Sequence, residues 1–425
     1  MTQEQAIIIM KSGRSVFLTG SAGTGKTYVL NQFIEHLEKN NIDHAVTAST
    51  GIAATHLGGM TIHSWSGLGI SQDITEEELD IIESRAKVFK RINEIEILII
   101  DEISMLHRRT LQDIDRIMRH IRREPSEPFG GVQVIVSGDF FQLPPVTKSY
   151  ESSQDRYAFM APVWVEANFT VCYLDKQYRQ GNDDLLNLLN NIRSQSLSEK
   201  DKAFLESRSI PADSEEQMTQ LFTHNQNVDT LNKKELATID EKEKKSTAKT
   251  KGNKQLVAGL IRNILAPEEL VLKIGAQVMF VKNHPEGDYM NGTMGEVIEF
   301  KLSGNPVVKL SSGRKIETEE STWSINDDNG KVLASFTQIP LRLAWAITVH
   351  KSQGMTLEKA CMDLSNCFER GQGYVALSRV SSAEGLYLSG YNDCALGVDQ
   401  LVLAADVRFR DLSKEAEKGS GDRLL

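Results

Sequence analysis

Apolar positions along the 425 residues fall into two kinds of segment. Short unbroken runs read as buried strands: SVFLT at 15–19, HAVTA at 44–48, ILII at 97–100 and GVQVIVS at 131–137. Between them, apolar residues recur at the three- and four-residue spacing of an amphipathic helix. That spacing predicts helices over 2–12, 28–38 and 75–95, the last rich in charge. A further helix has Leu106, Thr110, Leu111, Ile114, Ile117, Met118 and Ile121 on its buried face. The four aliphatics at 97–100 lack polar alternation, the mark of a strand covered on both faces. Strands alternating with helices predict an α/β fold on a parallel sheet.

VCYLDKQYRQ at 171–180 opens a second set of strands and helices. The lysine-rich stretch 233–254 has little apolar content and reads as a solvated, partly mobile connector. Over 270–325 the pattern changes to short β-like runs (AQVMFV, GEVIEF, PVVKL, RKIETEE). Turn signals separate them at Met290-Asn291-Gly292, Ser303-Gly304-Asn305 and Ser312-Gly313. Asn-Gly between such runs is a strong hairpin signal, so a small all-β barrel inserted in the α/β chain is expected. The α/β pattern resumes with IPLRLAWAITVHKSQGMTL at 339–357, a strand in KACMDL at 359–364, and a helix over GQGYVALSRV at 371–380. The charged tail after Ala405 is expected to fray.

Composition adds bounds. Hydrophobic residues make up 40% and charged residues 25%, as in soluble globular proteins. No apolar run approaches the ~18 residues that span a membrane. The start, MTQEQ, carries no signal-peptide pattern. Cys172, Cys361, Cys367 and Cys394 contain no C-x-x-C pair and read as reduced thiols of a cytoplasmic protein. A net charge of −10 argues against a general nucleic-acid binder, so any such contact must sit in a locally basic groove.

The chemistry centres on GSAGTGKT at 20–27. A glycine, four residues, then Gly-Lys-Thr, lying between a strand and a helix, is the phosphate-binding loop signature. Phosphate oxygens need inward-pointing backbone N–H groups, and the loop curls around them only where side chains are absent, hence Gly20, Gly23 and Gly25. The helix N-terminus adds its dipole. Lys26 brings a charge to the β- and γ-phosphates, and the Thr27 hydroxyl is an Mg²⁺ ligand.

Other strand ends carry matching groups. Asp101 and Glu102 end the 97–100 strand and divide naturally into a metal-holding acid and a water-polarising one. The hydroxyl-rich stretch 49–70 follows the second strand, where Thr50, Gly51, Thr61, His63 and Ser64 can line a nucleic-acid channel. Within it, 66–72 reads as a small exposed apolar excursion with Leu68 and Ile70 among glycines. GDFFQLPPV at 138–146 is a turn stiffened by two prolines. Gln142 can register a γ-phosphate, and one of Phe140 and Phe141 can face bases while the other is core. At Tyr178-Arg179 a ring can stack on adenine and a guanidinium can neutralise transition-state charge.

Taken in order, these motifs resemble the petite-integration-frequency (Pif) family of DNA helicases. That family belongs to the 5′-to-3′ branch of superfamily 1, which also contains RecD-like enzymes. The likeness covers about residues 2–390 and rests on Gln5, GSAGTGKT, TASTGIAA, GGMTIHSWSG, IIDEISM, FGGVQVIVSGDFFQLPPV, YRQ, TVHKSQGMTL and YVALSRV. FGG…GDFFQLPPV and TIHS are its most specific parts.

The resemblance implies an α/β chain of two RecA-like P-loop domains with ATP between them. The first spans 1–175 with a wedge element at about 64–74. The second spans 176–245 and 340–405. A Src-homology-3-like barrel occupies 246–339, and 406–425 is a charged tail. It assigns Lys26, Glu102, Gln142, Arg179 and Arg379 to catalysis, and Thr27 and Asp101 to Mg²⁺. Gln5, as adenine reader, joins Gly23, Thr24, Gly25, Tyr178 and Gly354 around the nucleotide. Ser49, Thr50, Gly51, His63, Phe140, His350 and Lys351 fall near single-stranded DNA. The implied activity is ATP-driven 5′-to-3′ unwinding of tailed duplex or structured DNA, including G-quadruplexes, by a monomer. The short ends lead to an expected bacterial or phage source. A RecD-like recombination helicase, a DNA-independent nucleotide switch and a binding protein with a vestigial ATPase are the rival readings. GDFFQLPPV disfavours the first, the two arginines with TVHKSQG the second, and intact Lys26, Glu102, Arg179 and Arg379 the third.

Overall fold

The structure, a computed structural model, describes residues 1–69, 73–145, 155–177, 184–210, 218–284, 286–289, 291–310, 312–326 and 332–421. The chain divides into two units. The first comprises Met1–Asn182, Ile192–Ser196 and Gly397–Leu425, and the second Asp183–Asn191 and Leu197–Leu396.

The first unit is built on a parallel sheet of β1 (Val16–Gly20), β2 (His44–Ala48), β3 (Met60–Thr61), β4 (Ile97–Asp101), β5 (Gln133–Ser137) and β6 (Thr170–Leu174), in the order β3-β2-β4-β5-β1-β6. Every residue of β1 is buried, as expected of a strand flanked on both sides and covered on both faces. Helix α1 (Gln3–Lys11) starts in a capping box between Thr2 and Gln5. Helix α2 (Lys26–Lys39) lays Val29, Leu30, Phe33 and Leu37 against the sheet, where they join Val16, Leu18, Ile99 and Ile135 in one core.

After α3 (Gly51–His56) and α4 (Ile62–Ser66), the charged segment forms two helices, α5 (Glu76–Glu83) and α6 (Ala86–Glu94), where the sequence predicted one. Thr75 and Glu78 make a fresh capping box at the start of α5, and Ser84 ends it. The excursion at 66–72 also differs from expectation, although 70–72 lie outside the described residues. Leu68 is buried, because left-handed Gly67 (φ +77°) tucks the turn against Ile82 and Val88. Helices α7 (Arg108–Arg122) and α8 (Pro162–Glu166) complete this part.

The second unit holds a four-stranded parallel sheet of β7 (Thr219–Phe222), β18 (Ala346–Thr348), β19 (Ala360–Leu364) and β20 (Leu386–Tyr391), in the order β18-β7-β19-β20. Helices α9 (Asp184–Ser194), α10 (Glu199–Ser207) and α11 (Asn225–Thr238) precede or follow β7, the last turn of α9 from Ile192 belonging to the first unit. The predicted lysine-rich connector is largely ordered. Beyond α11 it forms β8 (Lys244–Thr247), antiparallel to β10 (Glu269–Leu272), and β9 (Lys249–Gly252), antiparallel to β16 (Val332–Gln338). These strands are nearly all polar because their side chains point to water, so hydrophobic period gave no sign of them while edge pairing by the backbone still holds them.

Helix α12 (Lys254–Asn263) leads to an antiparallel five-stranded sheet. Its strands are β11 (Gln277–Phe280), β12 (Met294–Phe300), β13 (Pro306–Leu310), β14 (Lys315–Glu317) and β17 (Leu341–Leu343), and β15 (Ser321–Asn326) pairs with β16. Val278, Phe280, Val297, Val308 and Leu341 form its core.

Helix α13 (Gln372–Leu377) is shorter than the predicted 371–380, and Arg379 lies just beyond it. After α14 (Asp393–Leu396) the tail, as far as it is described, does not fray. It is helix α15 (Gln400–Gly421), and it belongs to the first unit. Phe409 seats it beside Phe17, with ring centroids 5.0 Å apart, and Ser413 Oγ accepts from Tyr173 N in β6 at 3.1 Å. Its charges had hidden a one-sided apolar contact.

Candidate nucleotide and nucleic-acid sites

The loop at 20–27 leaves β1 and enters α2 at the carboxyl edge of the first sheet. Gly20, Gly23 and Gly25 have φ of +147°, +84° and +85°. A Cβ on Gly20 would stand 2.7 Å from Leu174 O, and one on Gly25 2.2 Å from Gln3 Nε2. The loop is therefore closed by neighbours as well as by its own turns. Gln3 Nε2 donates to Thr24 O at 3.0 Å, Thr24 Oγ1 to Ser21 O at 2.9 Å, and Gln177 Nε2 to Ser21 Oγ at 2.6 Å. Gln3 and Gln177 were not singled out from the sequence. Thr27 is exposed at the start of α2. Gln5 Oε1 accepts from Thr2 N at 2.9 Å, which gives that side chain a capping role.

Lys26 Nζ donates to Gly20 O at 2.8 Å and Ser21 O at 3.2 Å, inside the curl. Burial pushes its pKa down. Asp139, Glu102 and Asp101 pull it back up, and Arg193 adds to the lowering. Burial likewise raises the Asp101 pKa, opposed by the Glu102 N–H and by Lys26. Glu102 occupies the left-handed region at φ +52°, a conformation a glutamate adopts only under surrounding constraint. Ser49 supplies part of it. Its N–H donates to Asp101 O at 3.1 Å and its hydroxyl to Glu102 O at 2.7 Å. A residue read from the sequence as a nucleic-acid contact thus also holds the backbone of the acidic pair.

The turn after β5 brings Asp139 and Gln142 to the same edge, both buried, with Gln142 N donating to Asp139 O at 2.9 Å. Phe140 does not face outward. It is 5% exposed and packs on Phe17, Phe159, Trp164 and Phe409, so the expectation that it meets bases is corrected. Phe141 is buried too, under the Arg193 guanidinium at 4.1 Å. An aromatic docking site for α15 consumes the surface that a base would need.

Sequence reading missed Arg193. It grips both Asp139 oxygens at 2.7 and 2.6 Å and donates to Tyr173 Oη at 2.7 Å. Tyr173 Oη donates to Asp406 at 2.9 Å, and Arg410 binds both Tyr173 Oη (2.6 Å) and Asp406 (2.8 Å). The signal was present. Leu185, Leu188, Leu189 and Ile192 are buried on α9, and Arg193 falls on the same stripe, where a charge needs a partner.

Thr50 precedes α3 and Gly51 begins it, and half-buried His63 lies in α4, its pKa lowered by burial. In the second unit, His350 and Lys351 follow β18, and exposed Gly354 turns at φ +78°. Burial lowers the pKa of both His350 and Lys351. Arg379 is buried and donates to Val375 O at 2.9 Å, Ser378 Oγ at 2.7 Å, and Ser352 O and Met355 O at 3.4 Å, joining α13 to that turn. Tyr178 and Arg179 lie outside the described residues. Among the described residues no helix is long and apolar enough to cross a membrane.

Known proteins align with this arrangement. The family description "PIF1-like helicase" matches residues 2–201, and "DNA helicase Pif1, 2B domain" matches 256–300. A Psychrobacter protein described as ATP-dependent DNA helicase Pif1 is 45% identical, over 99% of this chain and 72% of its own. Among solved structures, Bacteroides Pif1 in complex with ADP-AlF4 has a TM-score of 0.82 at 31% identity, with 96% of each chain covered. Bacteroides Pif1 bound to single-stranded DNA has a TM-score of 0.64 at 32% identity, covering 96% of this chain and 95% of that one.

Proposed function

The chain belongs to the PIF1-like helicase family, and from that premise we infer that it is an ATP-dependent DNA helicase that moves 5′-to-3′ along single-stranded DNA. The observation that carries this reading is the strand-end cradle of the first unit, where Lys26 stands in the field of Asp101, Glu102 and Asp139.

In this reading the backbone N–H groups of 20–27 and the start of α2 receive the phosphates of ATP. Lys26 exchanges its loop carbonyls for β- and γ-phosphate oxygens. Oxygen donors at Thr27 and Asp101 suit Mg²⁺, which neutralises phosphate charge when bound. Glu102 takes a proton from the attacking water, and Gln142 registers the γ-phosphate. Arg179 and Arg379 meet the charge of the transition state, a contribution of ~10³ to 10⁵ in rate in related phosphoryl transfer. Gln5 and Tyr178 hold the adenine, with Gly23, Thr24, Gly25 and Gly354 around the nucleotide. Ser49, Thr50, Gly51 and His63 on the first unit, and His350 and Lys351 on the second, contact the strand. Breaking a duplex step costs on average ~1.4 kcal/mol of stacking, small beside ATP hydrolysis.

The finer architecture belongs to the same proposal. Two RecA-like domains carry a wedge at about 64–74, and the antiparallel strands of the second unit support a Src-homology-3-like barrel within 246–339. The substrates are tailed duplex and G-quadruplex DNA, the active form is a monomer, and the location is the cytoplasm. Two partial duplexes of one sequence, with a 5′ or a 3′ tail, test the reading in ATP and Mg²⁺. The 5′-tailed duplex is unwound; unwinding of the 3′-tailed one alone overturns the polarity.

A further inference from the structure

The parallel pairing of β18, β7 and β19 sets their carboxyl ends side by side, with Thr348 opposite Phe222 and Phe222 opposite Asp363. One feature of that edge has no part in the scheme above. Phe368, in the loop after β19, is 60% exposed, and its ring centroid lies 5.0 Å from that of His224 at an interplanar angle of 49°. His224 is itself exposed, two residues past the end of β7 and capping the start of α11. Single exposed apolar side chains are ordinary; two rings fixed beside one another at a ligand-binding edge are not.

The fixing is done by hydrogen bonds from the loops beneath. Thr223 Oγ1 bonds His224 Nδ1 at 2.8 Å and donates to Asn366 O at 3.3 Å, tying the two loops together. Asn392 Nδ2 donates to Ser365 O at 3.0 Å and Cys367 O at 2.8 Å, and Phe368 N donates to Gln372 Oε1 at 3.3 Å. The rings are thus presented on a pinned base while their outer surfaces stay open. A cation stands at the same edge: Lys351 follows β18, where Arg342 adds to the lowering of its pKa and Asp229 opposes it. Open α/β sheets bind ligands outside the carboxyl ends of their strands.

We propose that Phe368 and His224 form a base-stacking platform for single-stranded DNA, holding the faces of bases while Lys351 takes the phosphate backbone. Stacking on a ring is tolerant of sequence, because every base has a π-face, which suits a motor that must pass any sequence. The proposal rests on the helicase reading and names two residues which that reading does not use.

The test measures anisotropy of a labelled oligothymidylate and of an abasic strand of the same length, without nucleotide. Wild type binds the base-bearing strand more tightly. Phe368→Ala lowers affinity for that strand about tenfold and leaves the abasic strand unchanged, so the preference disappears. His224→Ala gives a smaller loss of the same kind, and Phe368→Trp keeps the preference. Equal weakening on both strands, or no change on either, overturns the platform while wild-type DNA binding leaves the helicase reading standing. Wild-type protein that binds neither strand overturns both.

Discussion

The carboxyl edges of the two parallel sheets share a backbone geometry and differ in what they do with charge. In the first unit the edge is packed: Asp139 and Arg193 are buried against each other, and Lys26 is drawn into its own loop. In the second unit the edge is open, with Phe368 and His224 exposed and Lys351 half-buried. A triphosphate is small and its reaction develops charge at one point, so a fixed, desolvated field serves it best. A strand that must slide needs contacts that every nucleotide can make in turn, and exposed rings and cations offer those.

The largest effect that sharpens this contrast comes from Glu102→Gln. It removes the proposed base from the packed edge and keeps the shape. ATP turnover falls by about 10³-fold with ATP binding retained; near-normal turnover removes Glu102 from the chemistry.

Arg193→Gln tests the packing of charge itself. It leaves Asp139 buried without its cation, a loss of about 3–5 kcal/mol in denaturant unfolding. The pH dependence gives a second reading. Burial alone would raise the Asp139 pKa, but Arg193 and Lys26 outweigh it and hold the carboxyl below its usual range. That contribution is fully present above the ordinary carboxylate pKa of about 3.9 and is lost as pH falls through the lower folded-state value. Arg193→Gln therefore flattens the acid side of the stability curve, and an unchanged curve contradicts the pairing.

Phe409→Ala opens the aromatic cluster where α15 meets Phe17 and Phe140, at a cost of about 3 kcal/mol. A stability equal to wild type would mean the helix is not a working part of the first unit.

These three residues also mark how far the sequence could be read. The meeting of Lys26 with Asp101 and Glu102 at one sheet edge was legible because phosphate chemistry fixes residue type and spacing in short segments at strand ends. The strands of the first sheet were legible because burial on both faces leaves unbroken apolar runs. Phe140 was misread because an aromatic beside a catalytic turn looks the same whether it meets a base or a helix, and its partner Phe409 lies far along the chain. The polar strands β8 and β9 carry no periodic signal, since their stability comes from backbone pairing. Arg193 was readable only as a charge on an apolar stripe, and nothing local names Asp139 as its partner.

Two smaller effects probe the link between strand and chemistry. Ser49→Ala removes the hydroxyl bond to Glu102 O, worth about 1 kcal/mol, and lowers DNA-stimulated turnover about fivefold; equal stimulation in both proteins breaks the link. Lys351→Ala tests the phosphate contact proposed for the open edge. The slope of log affinity against log salt becomes shallower by about 0.7, and an unchanged slope places Lys351 away from the backbone.

The separation of the two edges is the central claim, and single-strand affinity of Lys26→Ala, measured by anisotropy beside its ATP turnover, tests it most directly. Turnover is abolished while affinity without nucleotide stays within about twofold of wild type, because the lysine serves only the packed edge. A folded Lys26→Ala protein that has lost DNA binding along with hydrolysis would contradict it.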